Sequence, residues 1–279
     1  MLTTRGSAWP SLTSSPRLSA LVEETRARLL QSTPQPELAA DRVAFARAAG
    51  IEPDPWQVRL LHSTAVRLIL SVTRQGGKST AAAVLAVHCT LFEPGALVLL
   101  VSPTLRQSGE LFKKCLSVYR ALGRPVPAES ETALTLTLEN GSRIVSLPGS
   151  EASVRGFSAP RLIIEDEAAR VPDDLHLAIL PMLATGGGRV IQMSTPWGTR
   201  GHFYETWAHG GPTWERYEVP ATQVAHISPE RLDEMRREMG EYWYRQEFLV
   251  EFMDAQSAAF RSEDIARAFA EEIEVWNLS

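Results

Sequence analysis

Two cysteines in 279 residues, Cys89 and Cys115, are too few for a disulfide scaffold and lack metal-ligand spacing, so the chain reads as carrying free thiols in a reducing compartment. Long apolar runs are missing too. No stretch approaches the roughly 18–20 uninterrupted apolar residues of a membrane span, and residues 1–15 have no charged-then-apolar export pattern, so neither insertion nor secretion is expected. Without an export signal, Asn140-Gly141-Ser142 reads as a hairpin turn and not as a glycan acceptor. Excess positive charge is also absent: the net charge is −5, which argues against a monomer that clings to nucleic acid. That average conceals a gradient. Residues 230–279 hold 6 arginines and 13 acidic residues, whereas the chain before them has a balance of +2, enough for a local basic patch.

What is present is a chain with 44% hydrophobic residues, long enough to bury a sizeable core. Its centre is Val72-Thr73-Arg74-Gln75-Gly76-Gly77-Lys78-Ser79-Thr80, between an apolar run at 67–72 and an alanine-rich helical run at 79–92. Strand, glycine pair, lysine, hydroxyl and helix N-terminus bring backbone N–H groups and one flexible cation to a small concavity suited to phosphates, with Ser79 as the Mg²⁺ ligand. The general phosphate-loop pattern has a glycine six places before the lysine, where this chain has Val72. A plain glycine turn is the competing structural explanation.

Residues 1–16 read as a mobile leader rich in Ser, Thr and Pro, and 18–30 as an amphipathic helix. A helix over 37–49 ends at Gly50, and Asp54-Pro55 starts another with Asp54 as N-cap. In that helix Trp56 is a core candidate, while Gln57 has the amide chemistry to read an adenine edge. Beyond the loop helix, 96–102 is an apolar run of the kind buried on both faces of a parallel sheet, and 105–122 is helical. Runs at 133–138 and 143–147 around Asn140-Gly141 form a hairpin, and 162–164 and 189–193 are further buried strands. Strands alternating with helices indicate a doubly wound α/β core with an antiparallel addition. The expected organisation is an arm at 1–50, a core at 51–254 and an acidic tail or linker at 255–279.

Acids at the end of a buried strand sit where open α/β sheets bind ligands. Asp166 suits a magnesium water shell and Glu167 the activation of a water, although acids also favour helix starts for local reasons. Arg155, beside Gly156, has the reach to stabilise a phosphoryl group, including one bound to a neighbouring subunit, although from the sequence alone a plain surface arginine is the stronger reading. Ser194 and Thr195 end a strand on the same edge, as γ-phosphate sensors or as a turn.

Together, Pro55-Trp56-Gln57, Arg74-Gln75-Gly76-Gly77-Lys78-Ser79, Arg155-Gly156, Asp166-Glu167-Ala168-Ala169 and Ser194-Thr195-Pro196-Trp197-Gly198 resemble, in order, the ATPase domain of the large terminase subunits of tailed phages. The resemblance covers residues 53–254, and the missing first glycine is normal for that family. It implies a P-loop NTPase of the additional-strand type that hydrolyses ATP with Mg²⁺ and drives double-stranded DNA into a procapsid in the host cytoplasm. It further implies a homo-oligomeric ring, of five copies, that meets the portal protein and the small terminase subunit. In it Gln57 corresponds to the adenine-contacting glutamine and Arg74 to the phosphate-loop arginine. Gln75, Gly76, Gly77, Lys78, Ser79 and Thr80 form the phosphate cradle, Asp166 and Glu167 are the metal-organising and catalytic acids, Arg155 is the finger and Ser194-Thr195 the coupling motif. The stretch 241–248 is similar to the helix that ends the motor region. Only 25 residues follow Asp254, so no nuclease activity is expected of this chain. Arg120, Arg124 and Arg143 are candidate DNA contacts. A superfamily-2-like helicase fragment and an ATP-gated assembly subunit without turnover are the alternatives.

Overall fold

The computed structural model describes residues 36–147, 154 and 156–254, with the backbone alone at 184–186. The expectations for residues 1–35, for Arg155 and for the tail at 255–279 lie outside the described residues.

The frame is one eight-stranded sheet: β1 (Arg67–Val72), β2 (Leu97–Val101), β3 (Ala128–Glu131), β4 (Thr135–Leu138), β5 (Arg143–Leu147), β6 (Leu162–Asp166), β7 (Arg189–Ser194) and β8 (Glu215–Val219). Their spatial order is β3-β4-β5-β2-β6-β7-β1-β8. From β5 to β8 all neighbours run parallel, while β3 and β4 add antiparallel strands at one edge. The hairpin expected at Asn140-Gly141 joins β4 of that addition to β5, which itself pairs parallel with β2, and Gly141 takes the positive φ of 82° that the turn requires.

Helices cover both faces. They are α1 (Pro36–Ala40), α2 (Arg42–Ala48), α3 (Pro55–His62), α4 (Lys78–Phe92), α5 (Leu105–Ala121), α6 (Asp173–Gly186), α7 (Gly201–His209) and α8 (Pro229–Glu247). Because side chains alternate along a strand, Leu68, Leu70, Val98, Leu100 and Ile164 pack with α3, α4 and α5, while Ile69, Leu99, Val101 and Ile163 pack with α6 and α7. Helix α4 is buried along almost its whole length, which its small alanines permit. That places the helix directly behind the phosphate loop.

Two corrections to the sequence reading have local causes. The single helix expected over 37–49 is two helices, because Asp41 leaves the helical conformation and its carboxylate accepts from the N–H groups of Val43 and Ala44 as the N-cap of α2. Strands β3 and β8 were not anticipated. Ala128–Glu131 lacks an apolar pattern, and Glu215–Val219 buries only Tyr217 and Val219 on an edge.

Candidate active site

Strand β1 lies between β7 and β8, and β6 lies next to β7, so the loop after β1, the acids ending β6 and the hydroxyls ending β7 share one edge of the sheet. The registers Ser71↔Ser194 and Asp166↔Met193 put the three strand ends level. Lys78, Asp166, Glu167, Ser194 and Thr195 therefore lie along that one edge. A cleft of about 390 Å³ lined by Arg74, Gln75, Gln107, Glu167 and Arg170 opens there.

The loop is held from outside. The Thr73 N–H donates to the Val219 carbonyl at 3.0 Å, and the Thr73 hydroxyl and Arg74 N–H both donate to the Glu247 carbonyl, at 2.9 and 3.3 Å. The Arg74 guanidinium lies 2.6 Å from the Glu247 carboxylate, and the Gln75 carbonyl meets a His226 ring nitrogen at 3.1 Å. From the other side Gln57, 5% exposed, donates through Nε2 to the Gly77 carbonyl at 3.1 Å and accepts the Asp54 N–H at 2.8 Å. This glutamine braces the phosphate loop with both ends of its amide. An adenine contact would use its remaining N–H and lone pair.

Gly77 caps α4 with φ 87°, and a Cβ there would stand 2.5 Å from Gln57 Nε2. Gly77→Ala is expected to cost about 2–3 kcal/mol, the sum of left-handed strain and the lost Gln57 bond. Denaturant unfolding measures this directly, and a loss under about 0.5 kcal/mol would mean that Gln57 does not fix the loop.

Lys78, at the first position of α4, reaches across the cleft to Glu167, with Nζ 3.0 Å from Oε1. The other Glu167 oxygen accepts from Arg170 Nη1 at 3.0 Å. Glu167 adopts the left-handed backbone conformation, φ 54° and ψ 41°, and its N–H donates to Asp166 Oδ1 at 3.1 Å. Burial pushes the Asp166 carboxyl up to about 6, and the charge of Lys78 opposes that rise without cancelling it. The buried Asp166 carboxylate and the Ser79 hydroxyl at the start of α4, on the same edge of the sheet, are oxygen donors of the hard type that Mg²⁺ favours, so their chemistry fits that ion. Ser194 donates to the Thr195 carbonyl at 2.7 Å, whereas the Thr195 hydroxyl is buried with no hydrogen-bond partner among the described residues.

Glu165, the residue before these acids, points to the opposite face and was not singled out by the sequence. It is fully buried, 3.0 Å from His176 Nδ1 and 3.3 Å from His202 Nε2, and His202 Nδ1 lies 3.1 Å from Asp173. The side chains of Glu165, His176 and His202 offer ligand atoms within 4.8 Å of one another. The imidazoles, however, stack with centroids 4.2 Å apart and planes within 9°. Nitrogen lone pairs lie in the ring planes, and two stacked planes do not converge on one ion, so the group is an ionic brace. Burial alone would raise the Glu165 carboxyl, but His176 and His202 beside it hold it at about 2. For His202 burial works downward, and Glu165 and Asp173 outweigh it to leave the imidazole above its ordinary value. Residues 165, 176 and 202 carry no local spacing signal.

The candidate DNA arginines lie elsewhere. Arg143 opens β5 opposite Leu97, at the edge of the sheet away from the phosphate loop, and Arg120 and Arg124 both pair with Glu131.

Comparison with known proteins agrees with this fold. The family model described as "Terminase large subunit, T4likevirus-type, N-terminal" matches residues 69–267. The large terminase subunit of Thermus virus P23-45 is 28% identical over 257 residues, covering 79% of this chain and 53% of that protein. This chain thus spans about half the length of such curated relatives. Among solved structures, the large terminase ATPase domain of Thermus phage P74-26 superposes with a TM-score of 0.68 at 25% identity, covering 75% of this chain and 98% of that one. The large terminase of another thermophilic bacteriophage, solved in complex with ADP, shares the fold with a TM-score of 0.60 at 12% identity, covering 72% of this chain and 54% of that one. With the family model spanning most of its length, this chain belongs to the terminase large subunit family, matching the T4-like N-terminal region.

Proposed function

We propose that this chain hydrolyses ATP with Mg²⁺ and uses the cycle to move double-stranded DNA into a procapsid, as one subunit of a ring of identical copies in the host cytoplasm. The observation that carries this reading is the 3.0 Å contact between Lys78 and Glu167, which joins the phosphate loop to the acid after β6. Binding alone has no need of a second acid beside Asp166. The likeness to the P74-26 ATPase domain, covered almost entirely, supports ATP as the nucleotide.

In this reading the N–H groups of Gly76, Gly77, Lys78, Ser79 and Thr80 cradle the phosphates and Lys78 neutralises their charge. Ser79 and Asp166 hold Mg²⁺, which supplies charge neutralisation on the phosphate oxygens when bound. Glu167 orients a water and accepts its proton as the bond from the β,γ-bridging oxygen to the γ-phosphorus breaks, giving ADP and phosphate. Ser194 and Thr195 sense the γ-phosphate, and Arg155 completes the site of a neighbouring copy. Arg120, Arg124 and Arg143 are the proposed DNA contacts, and the portal protein and small terminase subunit the proposed partners.

ATP turnover measured against protein concentration, with Arg155→Ala mixed into Lys78→Ala protein, tests the shared-site arrangement. Turnover per chain should climb with concentration, and the two inactive variants should rescue each other in part. Flat turnover and no rescue would place the finger in cis, as in a helicase-like enzyme.

A further inference from the structure

Arg170 touches three separate parts of the site. Its Nη1 donates to Glu167 at 3.0 Å, its Nη2 lies 3.7 Å from Glu247 Oε1 at the end of α8, and its Cζ stands 4.3 Å from the centre of the Trp197 ring after β7. Trp197 in turn lies 6.2 Å from Trp243 of α8. The last described helix thus meets the guanidinium directly through Glu247 and indirectly through Trp243, which stands behind Trp197.

Glu167 needs such support. Left-handed backbone costs a residue other than glycine about 1–2 kcal/mol and persists only where the surroundings enforce it. Two cations hold the carboxylate, Lys78 on one oxygen and Arg170 on the other. Incoming phosphates compete for Lys78. Arg170 is then the cation left on Glu167 at the moment its direction matters.

We propose that Arg170 is the positioning residue for Glu167, and that it takes its own place from Glu247 and Trp197. This deepens the ATPase reading and rests on it. Glu247 simultaneously holds the Arg74 guanidinium, so a single carboxylate on α8 addresses both the phosphate loop and, through Arg170, the water-activating acid. A shift of α8 moves Arg170 and turns Glu167 away from the water. Hydrolysis is thereby conditional on that helix being seated.

The test measures steady-state turnover and affinity for a non-hydrolysable ATP analogue on the full chain, for wild type, Arg170→Ala, Arg170→Lys, Glu167→Gln and the double variant Arg170→Ala/Glu167→Gln. Arg170→Ala is expected to lower kcat by about 10²-fold, the scale of a small misplacement of a catalytic group. Analogue affinity and KM should stay within about threefold. Arg170→Lys should recover part of kcat, keeping the charge without the fork. The double variant should be no slower than Glu167→Gln, because Arg170 acts through Glu167. An Arg170→Ala enzyme within twofold of wild-type kcat, or a further fall in the double variant, overturns the proposal. So does a parallel loss of affinity without rescue by lysine, the signature of a structural role. If Arg170→Ala does not fold, Arg170→Gln is judged by the same readouts. Wild type without turnover would sink the ATPase reading itself, whereas active wild type with an unaffected Arg170→Ala sinks only this inference.

Discussion

Glu167→Gln should reduce ATP turnover by about 10³-fold, within the range for loss of a general base, and leave nucleotide affinity within about threefold. The amide has the shape of the carboxylate and tolerates the same backbone, so the cleft should persist. What it cannot do is accept the proton of the attacking water. Its loss also releases Lys78, whose Nζ sits 3.0 Å from the carboxylate, for phosphate binding. Affinity is therefore expected to hold or to rise while kcat collapses, a pattern that belongs to a group acting in the transition state. A variant that keeps a tenth or more of wild-type turnover would remove Glu167 from catalysis. Single-turnover kinetics, read alongside equilibrium titration of the same protein, distinguishes the two.

The second large effect concerns stability, on the other face of the same strand. Removing one partner of a buried ionic group costs about 3–5 kcal/mol, because the remaining charge stays buried without compensation. Glu165→Gln should show a loss of that size. For a domain of this length it corresponds to a fall in Tm of about 6–20 °C. The effect should depend on pH in a definite direction. Glu165 is held below its ordinary value of 4.5, so its contribution is present above that value and fades as pH falls toward about 2. His202 is held above its ordinary 6.5, so its contribution is present below that value and fades as pH rises through the raised one. Both of these contributions are present between roughly 4.5 and 6.5, and the Tm gap between wild type and variant should narrow at higher pH. A gap that is constant from about pH 5.5 to 8.5 would show that the His202 charge is no part of it.

The strands that position the site were legible because their residues are buried on both faces. Leu97–Val101 and Leu162–Asp166 read as near-continuous apolar runs, and the acids at the end of the second marked the ligand edge. The phosphate loop was legible from a short contiguous pattern, even with Val72 in place of glycine. What stayed hidden depends on contacts between distant residues. Gln57 reads as an adenine ligand from its position, yet both ends of its amide engage backbone groups, one of them 20 residues away at Gly77. Arg170, three residues after Glu167, leaves only an ordinary helical spacing in the sequence. The partnership of Glu165 with His202 spans the intervening α6 and β7 and has no periodic signature. Edge strand β8 was missed because alternation with two buried residues is weak against a charged background.

The anchoring of Thr73 to the Glu247 carbonyl bridges 174 residues of sequence. Contacts that close so long a loop form late in folding, since the chain entropy must be lost before the contact stabilises anything. During synthesis the glycine pair and lysine emerge well before their outer support, and a nascent chain that ends short of α8 lacks the backbone acceptor that fixes Thr73 and Arg74. The ordered phosphate loop is thus a property of the completed core, so under the proposed function a nucleotide would meet a finished cradle only after the last described helix has been made.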